Sequence, residues 1–147
     1  MKKKDASKAY KRKQIESASP GELIILLYEG AIDFLYKAEQ VAQEKGPERI
    51  EKFHNHLISV QNILTELMAS LNIDQGGDLA QNLFRIYEYM HWRLIGANMH
   101  KELAVIIEVR EMLIRLKASW LIILQKDKEL KSKGRDSAAT QNINVKG

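Results

Sequence analysis

The sequence predicts an all-α fold, an antiparallel up-down four-helix bundle with flexible N- and C-terminal tails. Three observations predict it. Apolar residues recur at helical spacing from Pro20 to about Lys128, and no stretch alternates apolar and polar residues long enough to argue a strand. The only two prolines, Pro20 and Pro47, both stand where a helix starts. The connections between the periodic stretches are short, which makes successive helices antiparallel neighbours.

The first helix has a complete start signal. Ser19 is the N-cap, Pro20 the first helical position and Glu22 the third, which together make a capping box. Ala18 and Leu23 take the staple positions. Its expected inward stripe is Leu23, Leu27, Ala31, Phe34, Ala38 and Val41, and Gly46-Pro47 ends it. The second helix spans about Glu48 to Leu71, with Ile50, Phe53, Leu57, Val60, Leu64, Leu67 and Leu71 inward. Asn72 to Asp78, with Gly76-Gly77, reads as a turn. The third helix spans about Asp78 to Ala97, with Leu79, Leu83, Ile86, Tyr87, Met90, Leu94 and Ala97 inward and Asn98 as a left-handed cap. The fourth spans about Lys101 to Lys128, its stripe being Ile106, Val109, Leu113, Leu116, Trp120 and Ile123.

The chain therefore divides into a basic N-terminal segment (1–18), the helical bundle (19–128) and a tail (129–147) that lacks periodicity and is expected to be disordered. At 147 residues it fits one domain. It has no cysteine, which excludes disulfides and thiolate chemistry and fits a reducing cytoplasm. A secretory signal is not expected, because no apolar run follows the basic N-terminus before Ile15, and a membrane span is not expected, because no apolar run reaches the ~20 residues a span needs. The net charge of +4 resides in the ends. Residues 1–13 carry seven Lys/Arg and one Asp, whereas residues 14–125 carry ten Lys/Arg and fifteen Asp/Glu. Nucleic-acid binders place their basic face on the folded part, so that class is disfavoured.

Some apolar residues exceed what one buried face needs. On the first helix, Ile25, Ile32 and Tyr36 lie away from the stripe, and on the third Phe84, Trp92 and Ile95 do so. On the fourth, Ile107, Ile114 and Leu121 recur every seven residues as a seam. These residues broaden the core, pair two copies of the chain, or hold an incoming amphipathic helix. The alternatives thus include a structural bundle that self-associates through its surplus seams.

Metal and catalytic readings fare worse. Glu51-Lys-Phe-His54 and Glu88-Tyr-Met-His91 have the Glu-x-x-His spacing of di-iron bundles, but Glu51 and Glu88 point away from the expected core. Gly76-Gly77 is a turn, not a phosphate loop, and no nucleophile elbow is present. No enzyme, metal site or cofactor is expected.

Specific stretches resemble a known family. Tyr10, Gln14 to Ile24 and Leu27 to Ile32, then Ser70-Leu71-Asn72, Gly76-Gly77, Asn82-Leu83, Ile86 to Met90, Arg93 to Asn98, Glu108-Val109 and Leu113 to Trp120 are similar to the signature of the flagellar secretion chaperone family FliS. The likeness covers about Tyr10 to Leu124. Departures are mild: Ser17 for threonine, and Glu29 and Asn72 for aspartate. The resemblance implies a cytosolic bundle that binds the C-terminal segment of flagellin. Such a protein prevents premature polymerisation and keeps its client competent for flagellar type III export, with export-apparatus components as further partners. The same resemblance implies that the segment from Tyr10 folds back over an empty groove. It also assigns partner contacts to Tyr10, Ile15, Leu23, Ile24, Leu27, Tyr28, Asn82, Tyr87, Tyr89, Met90 and Arg93. The seam residues Ile107, Ile114 and Leu121 are added from the helical pattern. A monomer or weak homodimer is expected.

Overall fold

The computed structural model describes the backbone of residues 2–146 and the side chains of residues 6–134. Among these the fold is all-α, with five helices and no strand: α1 (Lys2–Ser17), α2 (Pro20–Ala42), α3 (Glu48–Ser70), α4 (Ile73–His100) and α5 (Leu103–Lys146). Five helices stand where four were expected. The extra one, α1, is a basic helix whose described residues from Ala6 to Ser17 are all exposed. At the other end, the backbone of α5 stays helical to Lys146, through the 129–147 stretch expected to lack structure. That stretch contains no proline, the one residue that would break a helix outright.

The remaining helices share one core. α2 packs against α3 and α5, and α4 packs against α3 and α5, so each has two neighbours. Ion pairs set the α2–α5 register: Glu22 with Lys128 (3.9 Å), Glu29 with Lys117 (3.2 Å) and Glu39 with Arg110. The α5 numbers fall as the α2 numbers rise, which is the antiparallel arrangement. Arg110 also lies beside the Tyr36 ring, 5.7 Å from its centre.

Local signals place the helix ends. The amide of Glu22 donates to Ser19 Oγ at 3.2 Å, as the capping box requires. Gly46 has φ +116°, a conformation that favours glycine. The expected turn at 72–78 is partly helical. Asn72 caps α4 by accepting from the Gln75 amide (3.2 Å), and Gly77 (φ 56°, ψ −136°) then kinks it. The left-handed C-cap of α4 is Lys101 (φ 54°, ψ 46°), and Asn98 remains helical. The Asn98 side chain is instead engaged by His54 and Lys101, so it does not close the helix.

The stripe of α3 matches its reading over Phe53, Leu57, Val60, Leu64 and Leu67, all buried. The stripe of α2 is rotated. Its buried residues are Ile25, Tyr28, Ala31, Leu35, Ala38 and Val41, while Leu27 and Phe34 are partly buried and Leu23 is exposed. Ile25, read as surplus, is core. Contact with α3 on one side and α5 on the other decides which arc of α2 is covered. Leu79 and Ile50 are also outward, as is Ile123. All three sit near an end of their helix or of the packed region, where a facing helix has run out. Ile86, Leu71, Leu116 and Trp120 pack at the core margin.

Candidate partner-binding surface

The residues singled out from sequence separate into three environments. Tyr28, Tyr87 and Met90 are fully buried and offer no surface to a partner. The Tyr28 and Tyr87 hydroxyls bond to each other across α2 and α4, with ring centres 6.4 Å apart. Burial pushes the Tyr28 hydroxyl above its ordinary range, and the bond to Tyr87 adds to the shift. Tyr87 is raised for the same first reason, partly offset by its hydrogen bonds. Both tyrosines are thus neutral donors and acceptors of the core. Ile24, Leu27 and Ile107 are partly buried, the first two against that core.

The second environment is two separate exposed apolar stripes, one on α4 and one on α5, where Leu121 borders a cleft shared with Gln14 of α1 and Glu22, Leu26 and Glu29 of α2. Tyr89, Trp92, Ile95 and Met99 line the outward side of α4, with Trp92 66% and Met99 73% exposed. On α5 the seam residues Ile114 and Leu121 are exposed, together with Ile122. Asn82 is exposed further up α4. Between the two helices stands a polar clamp. Glu108 accepts from the Tyr89 hydroxyl through Oε1 and from Arg93 through Oε2, both at 3.0 Å. Hydrogen bonding by Arg93, then by Tyr89, holds the Glu108 carboxyl below its ordinary range. Arg93 is raised in turn by Glu108. With one bond to each oxygen, the carboxylate holds Tyr89 and Arg93 in place. The Arg93 Nε is buried without an acceptor.

Beside the clamp, Trp92, Arg93, Ile95, Gly96, Ala97, Met99, Glu102 and Val105 line a cleft. Gly96 has open space over it, so a partner backbone can approach α4 there. The sequence flagged Trp92 and Ile95 only as off-stripe and missed Met99; their spacing of three and four residues was the available signal.

The third environment is α1. Tyr10 is 71% and Ile15 54% exposed, so neither residue covers a groove here. α1 leans over α2 instead, leaving a cleft lined by Lys11, Gln14, Ile15, Leu26, Glu29, Gly30 and Asp33. The di-iron spacings bring no ligands together: Glu51, His54 and Glu88 are exposed, and the described residues hold no cluster of three or more His, Asp or Glu able to bind a metal. No described helix is long and apolar enough to cross a membrane.

The profile of the family described as "Flagellar protein FliS" matches residues 2–127. The chain belongs to the FliS family. It is 29% identical over 121 residues to the flagellar secretion chaperone FliS of Bacillus subtilis, covering 82% of this chain and 87% of that one. It is 34% identical over 110 residues to flagellar secretion chaperone FliSB of Pseudomonas aeruginosa (73% and 82% covered). It is 33% identical over 117 residues to the Salmonella typhimurium flagellar secretion chaperone FliS (77% and 85% covered). The residues matched to the FliS family, 2–127, span α1 to α4 and the part of α5 that carries Glu108, Ile114 and Leu121 in this chain.

Proposed function

We propose that this chain is a cytosolic export chaperone that binds the C-terminal segment of flagellin, prevents its premature polymerisation and keeps it competent for flagellar type III export. Its working unit in this reading is an antiparallel four-helix bundle, α2–α5, led by the basic helix α1. The carrying observation is a pair of exposed apolar stripes, Tyr89, Trp92, Ile95 and Met99 on α4 and Ile114, Leu121 and Ile122 on α5. The core does not need these side chains, and a polar face would suffice if nothing bound there. Membership in a family whose relatives are named flagellar secretion chaperones supplies the class of client.

The client would order on binding, at a cost of about 2–5 kcal/mol. Apolar contacts spread over two helices offset such a cost better than one pocket does. Trp and Met suit an adaptable apolar surface. In this reading α1 is the displaceable segment, with Tyr10 and Ile15 able to occupy the surface when no client is present. Co-expression with flagellin tests the function: a soluble one-to-one complex is expected with the whole flagellin. Truncating flagellin at its C-terminus abolishes the complex if the reading is right, and an equally stable complex after truncation overturns it.

A second reading, self-association through the same stripes, rests on the same exposed residues. Sedimentation separates it, because a dimer that persists unchanged when excess flagellin peptide is added favours the structural role.

A further inference from the structure

At the end of the molecule where α2 turns into α3 and α4 into α5 lies a cavity of about 260 Å³. It is lined by Ala42, Arg49, Ile50, Phe53, Lys101 and Leu103, none of them among the surfaces described above. Four of these residues are apolar and two are cations. No carboxylate lines it.

Both cations are placed but not neutralised. Lys101 holds the left-handed backbone conformation that glycine usually takes, the one non-glycine residue to do so among those described. A strained backbone of this kind persists only where its surroundings fix it. Here the His54–Asn98–Lys101 chain does so: Asn98 Nδ2 donates to His54 Nδ1 (2.7 Å), and Lys101 Nζ donates to Asn98 Oδ1 (3.0 Å). The ammonium is held 4.9 Å from the centre of the Phe53 ring. It retains two of its three donors. Arg49 gives one donor to the Glu44 carbonyl at 3.4 Å, while the Glu44 carboxylate pairs with Lys52 at 3.7 Å. Neither Arg49 nor Lys101 makes a salt bridge with any described residue. α3 also opens on Pro47, with no side chain accepting from its first-turn amides. Arg49 and Lys101 are exposed at the rim, so together with the first turn of α3 they set a positive rim over an apolar floor made by buried Phe53 and half-buried Ala42 and Leu103.

We propose that this cavity binds a small free carboxylic acid with a compact branched or aromatic body. Arg49 and Lys101 take the carboxylate, and Phe53, Ile50, Ala42 and Leu103 take the body. The volume is just below the roughly 300 Å³ at which pockets for drug-sized ligands begin, which limits the body to about the size of one side chain. The outward position of Ile50, unexpected from the sequence, is accounted for as one wall of the site.

Titration of the whole ¹⁵N-labelled protein with phenylacetate, with phenylacetamide as the neutral isostere, tests the assignment. Phenylacetate is expected to shift the amides of Ile50, Phe53 and Leu103 saturably. The amide should bind at least about tenfold more weakly, as loss of a charge-assisted contact implies. Arg49→Met and Lys101→Met should each weaken phenylacetate by a similar factor, and Arg49→Lys should restore part of it. If Lys101→Met unfolds the loop, the Arg49 pair carries the test. The proposal is overturned by equal binding of acid and amide, by shifts that map elsewhere or do not saturate, or by wild-type affinity in folded Arg49→Met.

Discussion

The hydroxyls of Tyr28 on α2 and Tyr87 on α4, 59 positions apart in the chain, are hydrogen-bonded to each other inside the core. α2 and α4 each pack mainly against α3 and α5, so this bond is a polar tie between two helices that are not principal neighbours. Each hydroxyl satisfies the other where water does not reach.

Removing one hydroxyl orphans its partner. Tyr28→Phe and Tyr87→Phe are each expected to cost about 1–3 kcal/mol. The double variant should cost less than the sum, since it leaves no orphan. Urea unfolding of the four proteins in a double-mutant cycle checks this, and strict additivity would contradict the pairing.

The same pair makes stability fall in alkali. The folded-state Tyr28 hydroxyl is held above the ordinary tyrosine value of 10.0, so folded protein keeps a proton that unfolded chain loses. Its contribution is complete below about pH 10 and declines as pH rises beyond it. Melting temperatures measured from pH 8 to 11 should drop steeply for wild type. Tyr28→Phe should start lower and fall less.

Gly77 tests the kink at the start of α4. Its φ of 56° with ψ of −136° is a region essentially reserved for glycine. Gly77→Ala meets no neighbouring atom, so its cost is backbone strain alone, of the order of 1–3 kcal/mol. Thermal unfolding of Gly77→Ala beside Gly30→Ala provides the contrast. Gly30 is helical with negative φ and has only an ordinary contact with Ile63, so its alanine should be neutral or stabilising.

The exposed stripes can be probed without touching the core. Trp92→Ala should leave helicity and melting temperature nearly unchanged, because its side chain is 66% exposed, and Ile114→Asp, at a half-exposed position, should keep the helicity with only a modest drop in melting temperature. Flagellin affinity by calorimetry should fall by about tenfold or more for a residue central to the contact. Intact binding in Ile114→Asp would remove the α5 seam from the interface.

Deleting residues 1–16 removes α1 but spares the Ser19 cap. The remaining helices should stay folded, since α1 buries none of its described side chains. A tighter complex with flagellin would show that α1 competes for the surface; unchanged affinity would end the capping role.

The sequence by itself determined where α2 begins and that the fold is all-α. Ser19, Pro20 and Glu22 encode a start through contacts within one turn, and the start is found there. The α3 stripe is legible over Phe53 to Leu67, where the buried residues recur at three- and four-residue spacing, although Ile50 at its start is exposed. What the sequence could not decide was the phase of α2. Leu23, Ile25, Leu27 and Tyr28 are all apolar, and only the positions of α3 and α5 put Ile25 and Tyr28 inside and Leu23 outside. Lys101 as the left-handed cap, the Tyr28–Tyr87 bond and the clamp at Glu108 were equally invisible. Each joins groups far apart along the chain or depends on where a neighbouring helix ends. Periodicity reports which residues share a face; only packed neighbours decide which face is covered and which is left for a partner.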